Sequence, residues 1–336
     1  MANPTINRSK ESQPSTKTQM QHTLNDSFSC IGPGLHSGMK VVMTVMPAEE
    51  NSGYVFVRRD LPINRSIVPA RFNTVTDTRL STTVSNELGT RVSTIEHLIA
   101  ALRACDIDNA RIVLDGPEVP IMDGSAAPFI ALIEQMGVRQ QQRQRMAIVI
   151  TKPVSVRDGK STARLTPAPL PSIDLVIDFD HPAIGRQQQY TLIEKHSFAE
   201  HYAKARTFGF KDQLETLRKL GLAKGGNINN ALLIDDQGVV NPEGLRYDDE
   251  FARHKVLDAI GDLALAGCPI IGKFSGYRSG HALNNQLLRE LMLNPHCWHY
   301  TTMDHATEEW QALTEIGSEQ PFNHYDRGLT PLRQYH

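Results

Sequence analysis

The sequence predicts an α+β fold of two similar domains, and three observations carry that prediction. Each half of the chain opens with strand-like runs and closes with two helices that flank a single strand. A charged, glutamine-rich stretch, "VRQQQRQRM" (138–146), separates the halves and reads as a linker. With 336 residues, 40% of them hydrophobic and 21% charged, the chain is long enough for two cores. The style of the halves matches, although no residue-level repeat is evident. These signals divide the chain into a polar arm (1–18), an N-terminal domain (19–140), a C-terminal domain (146–318) and an aperiodic tail (319–336).

In the first half, "KVVMTVMPA", "GYVFVRRD" and "TRLSTTVS" are β-rich runs bounded by turn residues. The apolar run "STIEHLIAALRAC" follows as a helix, "ARIVLDG" as a strand, and "GSAAPFIALIEQMG" as a helix from about Ser125. The second half reads as strands in "AIVITKPVSVRDG", "KSTARLTPA" and "IDLVIDFDH". Helical stretches come near "SFAEHYAKA" and "KDQLETLRKLG", then a strand in "ALLIDD". A helix over 248–265, a strand in "PIIGKFSGYRSG" and a last helix from His281 complete it. "GPGLHSG" (32–38) lacks the phosphate-loop spacing and reads as tight turns, and "PEVPIMDGSAAPF" (117–129) reads as architecture.

A net charge of −2 argues against a broad nucleic-acid-binding or membrane-attracted surface. The four cysteines are scattered without a CxxC pair, so a reducing, cytoplasmic setting without a disulfide framework is expected. The N-terminus has no apolar signal segment, and no run of about 18 apolar residues suggests a membrane span. A monomer acting on a small molecule is the expected state.

Two helices hold unusual ionisable residues. In "DDEFARHKVLDAIGDLAL" the helical period places His254, Asp258, Gly261 and Asp262 on one stripe, with Lys255 beside it. Val256, Leu257, Ala259, Ile260, Leu263 and Ala264 form the opposite, core-facing side. In "STIEHLIAALRA" the helix is apolar almost all round, so Glu96 and His97 sit where charge is costly. Glu96 fits the N3 position of a capping box begun by Ser93, or else a catalytic carboxylate; His97 is a core histidine or a ligand. His254 and Asp258 at i, i+4 suit two ligands of one metal, or a solvated face; His97 would be the third ligand. Gly261 is expected to keep the stripe open where the site needs room. His281 begins a helix and either packs there or pairs with Asp262. Thr207, before Phe208 and Gly209, lies in what local sequence reads first as a plain turn, or else as one that could serve an oxyanion.

Taken in order, "GPGLHSG", "STIEHLIAAL", "PEVPIMDGSAAPF", "DFDHPAI", "ARTFGF", "RHKVLDAIGDL" and "SGHALNN" resemble the UDP-3-O-acyl-N-acetylglucosamine deacetylase family, from about residue 20 to about 315. The resemblance implies a zinc amidase of the lipid A pathway. Its two α+β domains would each be a small sheet layered with helices plus an inserted subdomain, with the site between the helical layers. It implies one zinc on His97, His254 and Asp258, with Glu96 as general base. His281 would be the protonated partner, steadied by Asp262, and Thr207 the hydroxyl for the oxyanion. Lys255 would lie near the substrate diphosphate, and Phe179, Asp178 and Phe208 would contact substrate, the first two at the uridine. The acyl passage would come from about Leu214 to Leu233, which is polar here at "KGGNINN", and Ser81 stands where some relatives carry a cysteine. A zinc peptidase is the rival enzyme, though HExxH is absent; a non-catalytic zinc-binding nucleotide-sugar sensor would use Glu96 as fourth ligand.

Overall fold

Alternation of apolar and polar residues builds two five-stranded sheets in the computed structural model, which describes residues 18–306. In Lys40–Pro47, Val41, Met43 and Val45 point inward and are fully buried; in Ser172–Asp178, Ile173, Leu175 and Ile177 do the same. The expected arm (1–18, save its last residue) and tail (319–336) lie outside the described residues.

The two sheets share one topology. In the first, Phe28–Pro33, Lys40–Pro47, Tyr54–Arg58 and Ile67–Pro69 come early, and Ala110–Leu114 then enters between the second and third. It runs parallel to Tyr54–Arg58, with Phe56 opposite Ile112. In the second, Val154–Asp158, Ser161–Thr166, Ser172–Asp178 and Arg186–Leu192 precede Lys273–Tyr277, which takes the same central place. Its parallel neighbour is Ser172–Asp178, with Leu175 opposite Gly276. A helix precedes each late strand (Glu96–Ala104, Glu250–Ala264) and another follows it (Ala127–Met136, His281–Leu293). Each half also inserts a three-stranded sheet ahead of its first long helix: 75–92 in the first, 208–239 in the second. The α+β reading with paired subdomains therefore holds, and the duplication lies in topology rather than in sequence.

Local differences have physical causes. The stretch 138–146 is no irregular linker: Val138–Gln144 is a strand, paired antiparallel with Met20–Leu24, His22 opposite Gln140. Nearly all its side chains are exposed, so no alternation of hydrophobicity marks it, and the pairing comes from the backbone. Within "TRLSTTVS" only Thr83–Ser85 is strand, because the chain turns at Leu80, whose φ is +62°.

The Glu96–Ala104 and Glu250–Ala264 helices pack on each other, and His281–Leu293 packs on the latter. Gly261 makes the first contact possible. A Cβ there would come 2.2 Å from the Glu96 carbonyl oxygen and 3.0 Å from its Cα. Its role is close helix approach, which corrects the expectation that it opens space in the site.

Candidate metal centre

The Glu250–Ala264 helix is buried on almost every side, its polar stripe included: His254 is 1% exposed and Asp258 and Asp262 3% each. Buried charges persist only where they are partnered. The Glu96 helix places His97 against this stripe, with the His97 and His254 rings 4.9 Å apart and nearly perpendicular. His97 Nε2 lies 3.5 Å and His254 Nε2 3.3 Å from Asp258 Oδ1. One ligand atom from each of the three residues falls within 4.8 Å of the others. Asp258 Oδ1 is buried and meets no hydrogen-bond partner among the described residues.

The donor set fits a metal ion. His254 Nδ1 sits 3.0 Å from the Ala205 carbonyl oxygen. A carbonyl only accepts, so the proton is on Nδ1 and the Nε2 lone pair faces the cluster. Burial presses the His254 imidazolium down to about 3, which keeps that lone pair free at neutral pH. Burial opposes ionisation of Asp258, yet His254 and Lys255 hold its carboxyl well below the ordinary range. Lys255 Nζ donates to Asp258 Oδ2 at 2.8 Å and lies 5.5 Å from the centre of the Phe208 ring. The expected substrate cation is thus tied to a candidate ligand, leaving Oδ1 as the oxygen that faces the histidines.

Glu96 is not a helix cap. The helix begins at Glu96 with Ile95 before it and no side-chain cap, and Ser93 Oγ instead accepts from Thr83 Oγ1 at 3.0 Å. Glu96 Oε2 accepts from Thr82 N at 3.0 Å, and Oε1 lies 3.8 Å from His281 Nε2. Burial raises its carboxyl above the ordinary range. The capping-box spacing fails because the chain after Ser93 is not helical: Thr94 takes a φ of +56° and the helix starts only at Glu96. Such a backbone is costly for a β-branched residue and needs support from its surroundings. Glu118 supplies it: 1% exposed, its carboxylate accepts from Thr94 Oγ1 at 2.7 Å and from His36 N and Ser37 N at 2.8 Å each. Gly34 is glycine for the same reason, since a Cβ would meet Glu118 Oε2 at 2.3 Å.

His281 and Asp262 do meet: Nδ1 is 2.8 Å from Asp262 Oδ2. That oxygen also accepts from Asn284 Nδ2 at 2.9 Å, and Oδ1 from Thr82 Oγ1 at 2.5 Å. Burial works against the imidazolium, but Asp262 and Glu96 carry its pKa up to about 9.

Thr207 is half-buried, its N–H donating to Gly124 O at 2.8 Å and its carbonyl accepting from Leu232 N at 2.7 Å. It is flanked by Ala205, the partner of His254, and Phe208, whose ring is 6.3 Å from that of His254. Buried Arg206 between them binds Glu250 through Nε at 2.9 Å. Phe179 stacks edge-on to Phe208 at 5.7 Å, while Asp178 accepts from Tyr277 Oη at 2.5 Å.

Sequence reasoning missed Thr82, Asn284, Glu118, Arg206 and Tyr277. Asn284 was findable, since it stands three residues after His281 and shares its helix face. Thr82, Glu118, Arg206 and Tyr277 reach their partners from loops or strands, and no local periodicity marks them.

Fold and site define a class: duplicated α+β proteins with a buried His/Asp cluster that could hold a metal ion beside a paired glutamate and histidine. A family profile described as UDP-3-O-acyl N-acetylglycosamine deacetylase matches residues 21–293, and the chain belongs to that family. Among its relatives, a UDP-3-O-acyl-N-acetylglucosamine deacetylase of Anaeromyxobacter sp. (strain Fw109-5) is 50% identical over 278 residues, 82% of this chain and 90% of that protein. A protein of the same name from Shewanella frigidimarina is 46% identical over 286 residues, 84% of this chain and 93% of that one. Another, from Neisseria meningitidis (strain FAM18), is 49% identical over 279 residues, 81% and 90% of the two chains. No helix among the described residues is long and apolar enough to cross a membrane.

Proposed function

We propose that this protein is a zinc-dependent deacetylase of UDP-3-O-acyl-N-acetylglucosamine. It hydrolyses the acetamide to UDP-3-O-acyl-glucosamine and acetate, the committed step of lipid A formation, in the cytoplasm and with one zinc per chain. The relatives' shared name supports the substrate. The observation that carries the chemistry is the convergence of His97 Nε2, His254 Nε2 and Asp258 Oδ1, with Glu96 close by, one oxygen bonded to Thr82 N and the other 3.8 Å from His281. His97, His254 and Asp258, as two nitrogen donors and one oxygen donor, would suit zinc. When bound, zinc supplies a Lewis acid that polarises the amide carbonyl and makes a water more acidic.

The chain's own groups move the protons. Glu96, whose carboxyl is buried and raised, takes a proton from the attacking water as the water oxygen bonds to the acetamide carbon. Thr207 offers its hydroxyl to the developing oxyanion, and the His281 imidazolium adds positive charge on the same side as Glu96. As the C–N bond breaks, the amine needs a proton to leave; His281, cationic at neutral pH, is the donor, and Asp262 keeps it oriented. The proton taken by Glu96 returns the site to its starting state through His281.

Phe179 and Phe208 form an apolar wall next to the site. In this reading Phe179 and Asp178 meet the uridine, with Tyr277 fixing the Asp178 carboxylate. Lys255 meets the diphosphate, and Leu214–Leu233 borders the acyl chain. Glu96 held by Thr82 and His281 favours a base over the fourth ligand of a sensor. The test is acetate release from UDP-3-O-acyl-N-acetylglucosamine by metal-loaded protein, with and without chelator. No release by the loaded protein would sink the proposal. Glu96→Gln should keep the metal and lose turnover by about 10²-fold or more.

A further inference from the structure

The last turn of the Glu96–Ala104 helix and the chain leaving the Glu250–Ala264 helix enclose a second feature, a cavity of about 300 Å³. Its wall takes Gln21, Tyr54 and Asn109 from the first half and Leu265, Cys268 and Tyr300 from the second. Three arginines line it, Arg71, Arg103 and Arg145, against one carboxylate, Asp108. Three positive charges less one negative leave two uncompensated; Asp106, half-exposed and paired with Arg145, offsets one at most.

The arginine donors are not used up. Arg145 is 6% exposed; its Nε donates to Asp108 at 2.8 Å and Nη1 to Asp106 at 2.7 Å. Its Nη2 is buried and meets no acceptor among the described residues. Arg103, with a side chain 15% exposed, approaches Asp108 only at 3.9 Å, beyond a hydrogen bond. Burial and the neighbouring Arg145 both press the Arg103 guanidinium below its ordinary range. An anion in the cavity would meet the free donors of Arg103, while the Arg145 guanidinium, held by Asp108 and Asp106, adds positive charge behind it. Arginine forks suit phosphate, and a phosphate group carries about one to two negative charges at neutral pH, matching the surplus. Facing apolar wall from Phe72 and Leu265 gives room for a small organic remainder.

We propose that this interdomain cavity is a binding site for a small phosphate-bearing anion, held by Arg103 with Arg71 at the rim and the charge of Arg145 behind it. It is separate from the metal ligands and stands whatever reaction they support.

Calorimetric titration of the metal-loaded full chain with inorganic phosphate, at ionic strength matched with chloride, tests it. The expected result is a saturable site that Arg103→Met weakens at least tenfold and that Lys255→Met, at the metal centre, leaves within twofold. A cavity holding water alone gives no saturable heat, which overturns the proposal. So does phosphate binding that survives Arg103→Met, or that vanishes in Lys255→Met. If circular dichroism shows that Arg103→Met does not fold, exposed Arg71→Ala takes its place. It must then weaken phosphate at least threefold, and unchanged affinity overturns the proposal.

Discussion

Replacing Asp262 by asparagine removes the charge that does most to keep His281 protonated while preserving the size of the side chain. The rise of His281 from 6.5 to about 9 is worth roughly 3 kcal/mol of preference for the imidazolium, at about 1.4 kcal/mol per pH unit. Asp262 is the foremost of the charges that raise it, ahead of Glu96, and its oxygen lies 2.8 Å from Nδ1. An opposite charge at this range moves a pKa by about 1 to 3 units. In the proposed mechanism activity requires the protonated form, so the loss is expected on the basic side. The alkaline limb of kcat/KM for acetate release should move down by more than about 1 pH unit in Asp262→Asn. The deficit against wild type should widen as pH rises and narrow below about pH 6, where both proteins hold the proton. An alkaline limb that stays in place, or a deficit constant across pH, refutes the assignment of His281 as the acid. Stability follows the same sign. The folded state binds this proton more tightly, so its contribution is complete below about 6.5 and lost as pH passes about 9.

The packing of the two helices makes further claims. Gly261→Ala puts a methyl 2.2 Å from the Glu96 carbonyl oxygen, and separating the helices to fit it should cost about 1–3 kcal/mol. Metal affinity should fall with it, read by chelator competition; unchanged affinity would mean that the helices need not be this close. Arg206→Met leaves the carboxylate of fully buried Glu250 without its main partner and should cost about 3–5 kcal/mol in urea denaturation. Arg206→Met with Glu250→Met should recover part of that loss, and no recovery would show that the pair acts through something other than charge. Glu118→Gln turns one of its accepting oxygens into a donor facing other donors, costing about 1–3 kcal/mol. It should lower kcat more than it raises KM, because it releases Thr94 at the start of the Glu96 helix.

Why some of this was legible in the sequence and some was not is a question of where each signal is stored. His254 and Asp258 share a helix face by spacing alone, and Glu96 and His97 stood out because an apolar helix has no cheap place for them. Which of two readings applied to Glu96 depended on Thr94, whose positive φ is supported by Glu118, 24 residues away in the segment after the Ala110–Leu114 strand. Local spacing allowed the capping box; a distant carboxylate prevents it. From sequence alone Gly261 reads as space, because a glycine on a polar stripe has no other local meaning, whereas its constraint is a backbone atom of the other helix. The like order of elements in the two halves could be read, but their shared strand order was hidden, since register and strand order are relations between segments that need not resemble each other in sequence. The candidate ligands were therefore legible residue by residue, and what positions them was not. Asp262 marks the boundary. Its place on the stripe could be read from the helical period, but its grip on His281, Asn284 and Thr82 joins three elements that only the fold brings together.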